Sequence, residues 1–187
     1  MYETSDFRKN LKLMVEGQPY VVVDFQHVKP GKGNQFTRTK LRNLITGQNL
    51  ERTFKSGEKF EVPDVQNIEM TYLYKDDNGF NFMNQSNYEQ LMMMEHEIGE
   101  ALNYLTENLA VFITIYNGKA VNVEVPKAVQ LKVAYTEPGI KGDRVTGATK
   151  PATMETGLVV NVPLHINQDD VLRIDTTTGE YVERVNK

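Results

Sequence analysis

Cysteine is absent from the 187-residue chain. Its absence removes disulfides, thiolate nucleophiles and thiolate metal sites together. It is neutral on compartment, because a reducing cytosol demands no cysteine. Histidine is scarce: His27, His96 and His165 are too few and too scattered for a His-based metal site, so neither metal nor cofactor is expected. No apolar run reaches the roughly 18 residues that a spanning helix needs, so no membrane association is expected. The opening MYETSDFRKNLKLMVEGQPY lacks the apolar stretch of a secretory leader, and the expected location is cytoplasmic. No Ser-His-Asp, His-rich or paired-acid arrangement has a recognisable catalytic spacing, so the chain reads as a non-enzyme. A net charge of −4 excludes a uniformly basic nucleic-acid coat protein, though not a locally basic one.

The charge that is present is unevenly placed. Residues 1–64 hold eleven bases and eight acids, residues 65–127 three bases and nine acids, and residues 128–187 seven bases and eight acids. Between Phe25 and Leu50 there is no acid at all, against five cations: Lys29, Lys32, Arg38, Lys40 and Arg42. This window reads as an anion-binding face, most simply for phosphates; the plainer alternative is a solvated strand face. Pro63 stands where the charge changes sign and Pro126 where the acidic middle ends. Proline disfavours continuation of a central strand. The expected division is therefore 1–64, 65–127 and 128–187. A piece that small buries only about 60% of its unfolded surface, so the first two are expected to pack on each other.

The chain reads as all-β. β-branched and aromatic runs at 18–25, 68–74, 110–116, 129–135, 158–162, 171–175 and 181–185 alternate with turn chemistry such as Asp76-Asp77-Asn78-Gly79, Asn117-Gly118 and Thr178-Gly179. Short strands at this spacing suggest small barrels. One stretch differs. Leu91, Met94, Ile98, Ala101, Leu102 and Leu105 recur at steps of three and four and predict a helix ending near Asn108. The Met92-Met93-Met94 run reads as packed methionines rather than ligands.

The sharpest motif is Lys29-Pro30-Gly31-Lys32-Gly33. Pro30 pre-sets a turn φ, Gly31 is expected to supply a positive φ, and Gly33 removes bulk beside Lys32. Lys32 should project alone from a tight loop, with Lys29 behind it. A P-loop is rejected, because the longer Gly-x4-Gly-Lys-Ser/Thr spacing is missing and Asn34 stands where its hydroxyl would be. A catalytic base is rejected too, because nothing in the sequence offers the burying pocket or adjacent cation that would neutralise a lysine. The sequence chemistry leaves a presented cation, a modified amine or an ordinary solvent-facing turn.

The stretch Asp24-Phe25-Gln26-His27-Val28-Lys29-Pro30-Gly31-Lys32-Gly33 resembles the N-terminal domain of the bacterial elongation factor P family, as does Asp6-Phe7-Arg8-Lys9. The likeness continues through Gly142-Asp143, Lys150-Pro151-Ala152-Thr153-Met154-Glu155-Thr156-Gly157, Val162-Pro163 and Asp175-Thr176-Thr177-Thr178-Gly179-Glu180-Tyr181. The resemblance implies a KOW/SH3-like barrel followed by two OB-like barrels in an elongated L-shape, with one short helix in the middle domain. It implies a monomer that binds the 70S ribosome between the P and E sites and contacts peptidyl-tRNA and ribosomal RNA. Stalls at consecutive prolines would be relieved there. Lys32 would be the tip residue facing the CCA end, open to covalent extension by a lysine-modifying enzyme, whereas the rhamnosylation found on arginine-type members is out of reach. By the same resemblance Arg38, Lys40 and Arg42, the loop residues Asp143 and Arg144, and Tyr181 and Arg184 near the C-terminus would meet RNA. Three positions depart from the family pattern: Arg144 replaces a small polar residue, Asp169 a glycine and Thr177 an arginine. A paralogue with a narrower role or an unmodified tip is the nearest alternative reading. An OB-type single-strand binder is the alternative from another class, although the C-terminal third offers few aromatic platforms.

Overall fold

The computed structural model describes residues 1–139 and 148–185. Among these the chain is built almost wholly of antiparallel strands. In order they are β1 (Tyr2–Glu3), β2 (Lys12–Val15), β3 (Gln18–Val28), β4 (Phe36–Asn43), β5 (Asn49–Lys55), β6 (Lys59–Phe60), β7 (Val65–Lys75), β8 (Phe80–Met83), β9 (Gln90–Met93), the four-residue helix α1 (Glu95–Ile98), β10 (Ala110–Tyr116), β11 (Lys119–Glu124), β12 (Ala128–Thr136), β13 (Thr149–Met154), β14 (Val159–Pro163), β15 (Val171–Asp175) and β16 (Glu180–Arg184). They form a four-stranded sheet β2-β3-β4-β5, a five-stranded sheet β11-β10-β7-β8-β9, a five-stranded sheet β14-β13-β12-β15-β16, and the pair β1-β6. The chain divides into two compact units, residues 1–68 with 113–124, and residues 69–112 with 125–187.

In the first unit, β4 shows how the sequence sets its faces. Phe36-Thr37-Arg38-Thr39-Lys40-Leu41 alternates, with Thr37, Thr39 and Leu41 buried and Arg38 and Lys40 exposed. That is the period-two signature of a sheet wet on one side. The dry side packs Phe7, Leu11, Leu13, Val15, Val22, Leu41, Phe54 and Phe60. Phe54 sits edge-on to Phe60 at 4.7 Å and to Phe7 at 6.0 Å. Alternation stops at the end of β4, where Arg42 and Asn43 are both buried. The hairpin of β10 and β11 covers this end. Val121 packs with Val21 and Leu44, and the Arg42 guanidinium bonds the Asn122 side-chain carbonyl. Lys12 is similarly enclosed and reaches Glu124 at 3.3 Å.

Burial, with Arg8 and Arg42 nearby, holds the Lys12 amine below its ordinary pKa despite the opposing pull of Glu124. Between that lowered value and 10.5, the unfolded chain binds the proton and the folded chain does not. Stability contributed by Lys12 therefore rises with pH through this window. Urea titrations above neutral pH should show the wild type gaining stability relative to Lys12→Met. Parallel curves for the two proteins would refute it.

In the second unit, β14 also meets β16, which closes the sheet into a barrel. Its core joins Val129, Leu131, Val133, Met154, Val162, Ile166, Leu172 and Ile174, and Tyr104 from the 3-10 turn Gly99–Tyr104 enters the same cluster. Thr156 ties that turn down, its hydroxyl donating to the Asn103 carbonyl at 2.6 Å.

The short helix expected in the middle of the chain is present as α1, but it stops at Ile98 rather than near Asn108. The segment is β9, then α1, then the 3-10 turn. Gly99 breaks the helical path with φ 68° and ψ −141°. The three-and-four spacing still turns Ile98, Ala101, Tyr104 and Leu105 inward, which is why the sequence reads as helical. Met93 is packed as expected, but Met92 and Met94 are 47% and 45% exposed.

Candidate functional site

The acid-free window is a hairpin. β3 and β4 pair from Tyr20↔Asn43 to Val28↔Phe36, with a bulge between Val22 and Asp24. Beyond the last pair, residues 29–35 are all exposed. Below the loop the hairpin is braced. His27 Nδ1 shares a hydrogen bond of 2.8 Å with the buried Thr37 hydroxyl, its ring meets Phe25 edge-on at 5.3 Å, and the Arg38 guanidinium lies 5.6 Å from the Phe36 ring centre. The two strands therefore present the loop from a rigid base. Lys29 and Lys32 make no hydrogen bond or ion pair among the described residues. An exposed amine carried on a stiff support can be offered to a partner.

The turn chemistry differs from the sequence expectation at one position. Gly33, not Gly31, has the positive φ, at 110°. A β-carbon at Gly33 would come no nearer than 3.9 Å to Pro30, so the obstacle there is the backbone, not space. At Gly31 nothing lies within 4 Å and φ is not in the positive range. Gly33→Ala should cost about 1–2 kcal/mol of local strain and move the backbone amide resonances of the loop. Gly31→Ala should leave them in place. Equal perturbation by both would contradict the assignment.

On the wet face of the sheet, register decides which cations are available. Lys40 stands opposite Asp24 on β3 and Glu51 on β5, and its amine is 3.9 Å from Glu51. These are the two acids that bound the acid-free window in sequence, and pairing folds both back against Lys40. Arg38 instead stands between Gln26 and Thr53. Arg52 lines a groove of about 670 Å³ together with Arg38 and Lys40, and it is paired with Glu16 through bonds of 2.9 and 3.3 Å. Free positive charge thus concentrates toward the loop, on Lys29, Lys32 and Arg38. Lys55 joins them, exposed and directly opposite Phe36. Sequence reading missed Lys55 because it lies past Glu51; only the β4–β5 register brings it to this end.

Arg42 is a correction. The sequence places it among the RNA-facing cations, but it is 6% exposed and bonded to Asn122. The β10–β11 hairpin takes it out of solvent, and its role is to anchor that hairpin.

In the C-terminal barrel, Tyr181 is half-buried against the core and paired with Ile174, while Arg184 is exposed and 3.9 Å from Asp170. Asp143 and Arg144 lie outside the described residues. Asp169 has φ 72°, the conformation that glycine takes without strain. Thr177 lies in a turn capped by Asp175, whose carboxylate accepts the Thr177 N–H at 2.7 Å.

Three family profiles match the chain in order. They are the elongation factor P KOW-like domain at residues 3–60, the elongation factor P OB domain at 65–123 and the elongation factor P C-terminal domain at 129–184. The chain is 75% identical, over the whole of both sequences, to elongation factor P of Bdellovibrio bacteriovorus. It is 50% identical to that of Moorella thermoacetica over 98% of this chain and 100% of the relative, and 51% identical to that of Caldanaerobacter subterraneus over 99% and 100%. No helix among the described residues is long and apolar enough to cross a membrane. A chain matched along its length in this way, with KOW-like and OB-type β-sheets and a lysine-tipped hairpin, belongs to the elongation factor P family, translation elongation factors that act on the ribosome and are not enzymes.

Proposed function

We propose that this chain works in the cytoplasm as a monomer, binding the 70S ribosome between the P and E sites and relieving stalls at consecutive prolines. Lys32 is the working residue. The observation that carries this reading is the loop 29–35, exposed throughout, with Lys32 unpartnered on a braced hairpin. The loop reaches the CCA end of peptidyl-tRNA, and a lysine-modifying enzyme lengthens the Lys32 amine to extend its reach. Proline is a rigid, hindered residue whose ring fixes φ, so the slow step is one of geometry. Holding two reactants in a productive orientation is worth up to about 7–11 kcal/mol, and the factor need supply no acid or base.

Phosphate neutralisation comes from Lys29, Arg38 and Lys55, with a smaller share from Lys40 because of its two carboxylate neighbours. Arg184, Tyr181 and the 143–144 segment meet RNA from the C-terminal barrel. The working parts are 1–64, 65–127 and 128–187, a division supported by the edges of the three family profiles. The test is reconstituted translation of a message encoding three consecutive prolines. Added factor should raise the rate at the stall and leave a proline-free message unchanged. Equal effects on both, or none on either, would remove the reading. Peptide mapping of the native protein should place added mass on Lys32; an unmodified but active tip would favour the unmodified-paralogue reading.

A further inference from the structure

The acidic middle of the chain carries a surface that the ribosomal RNA reading leaves unused. From Asp76 to Gly118, 43 consecutive residues contain seven carboxylates and no lysine or arginine. Within the second unit, register sets Tyr74, Asn81 and Met92 in one row across β7, β8 and β9. Tyr74 is 51% exposed and Met92 47%; Met94, two residues on from Met92, is 45% exposed, and Tyr88 in the β8–β9 connection 72%. β9 ends its sheet, so its outer main-chain edge has no strand beside it among the described residues.

Tyr74 also borders a cleft of about 330 Å³ that Tyr72, Glu107 and Glu155 line with it. Burial and the Glu107 carboxylate raise the Tyr72 phenol above its ordinary pKa, the effect of a negative potential in a partly dry site. One Glu155 oxygen accepts the Lys132 main-chain N–H at 2.5 Å, which fixes the carboxylate at the cleft. Phosphates are repelled by the two cleft carboxylates. A guanidinium is suited to it, because the group stacks on aromatic rings and bonds carboxylates with its planar fork. Exposed methionines and a free strand edge offer the adaptable apolar and main-chain contacts that an extended protein segment uses.

We propose that this cleft and the adjoining β7–β9 face dock an arginine-bearing, cationic protein segment, so that the factor meets RNA with its lysine-tipped hairpin and protein with its acidic middle. The proposal rests on action at the ribosome, and its test separates the two. The full-length chain carrying p-benzoylphenylalanine in place of Met92 is irradiated on purified 70S ribosomes, with cosedimentation read in parallel. Crosslinks to a lysine- or arginine-rich segment of a protein are expected. Crosslinks confined to ribosomal RNA, to a second copy of this chain, or absent while the factor cosediments would overturn the proposal and leave ribosome action standing. The double variant Glu107→Gln, Glu155→Gln keeps both side chains' shape. It should weaken ribosome affinity by about 3–10-fold at low salt, the range of paired surface charges, and converge on wild type at high salt. Unchanged low-salt affinity would also overturn it.

Discussion

Lys32→Ala should abolish relief of polyproline stalling while leaving the fold unchanged. The side chain contributes nothing to stability that the structure records: it is exposed, unpartnered, and on a loop whose conformation is set by Pro30, Gly33 and the braced strands below. Surface substitutions of that kind usually fall within about 0.5 kcal/mol, so thermal melting should coincide with wild type. The functional loss should be large because this amine is the group proposed to reach the CCA end. Its removal leaves the stalled rate near that without factor, a drop of about tenfold or more, which corresponds to roughly 1.4 kcal/mol of barrier. Ribosome affinity should fall far less, since Lys29, Arg38 and Lys55 remain. Retained relief by a correctly folded Lys32→Ala protein would remove Lys32 from the mechanism. Lost relief with equally lost binding would make it an anchor rather than a positioning group.

Tyr104→Ala should destabilise the protein far more than Gly33→Ala or any change at the loop. Tyr104 is 7% exposed and sits in a core otherwise supplied by β12–β15 and the loop residue Ile166, although it comes from a segment before β10. Its hydroxyl lies where a β-carbon on Gly179 would approach to 3.3 Å, so the neighbouring turn is shaped around it. Truncating a large buried aromatic typically costs about 3–5 kcal/mol, which for a chain of this size lowers the melting temperature by roughly 6–20 °C. Tyr104→Phe keeps the ring and should lose little. If Tyr104→Ala melted with wild type, the barrel core would be complete without it. The variant should also expose β12–β16 amides to hydrogen exchange more than those of β3 and β4, because the damage lies in the second unit.

Much of this is visible in the residues and some is not. The β-branched runs and Asn-Gly turns announce an antiparallel protein, because a period of two and a positive-φ turn are local properties. Lys29 through Gly33 announces an exposed loop for the same reason. Position across the sheet is not local. Lys40 and Arg38 look equivalent in sequence, yet register gives one two carboxylate neighbours and the other none. Arg42 looks like the third of a series, yet a hairpin some 80 residues away covers it. The apolar spacing from Ile98 to Leu105 reports which side chains turn inward, but a short helix and a 3-10 turn can share that periodicity when Gly99 sets the corner.

The covering of Arg42 and Lys12 limits how the protein can be taken apart. A fragment stopping at residue 64 would carry the entire lysine-tipped hairpin, but it would strip Asn122 from Arg42, Glu124 from Lys12 and Val121 from Val21 and Leu44. Two enclosed cations would face water with an apolar collar around them, a combination that favours aggregation. Any reagent that displays the loop must therefore keep residues 113–124 against residues 1–68, and peptide mimics of the tip must replace that lost shield with one of their own.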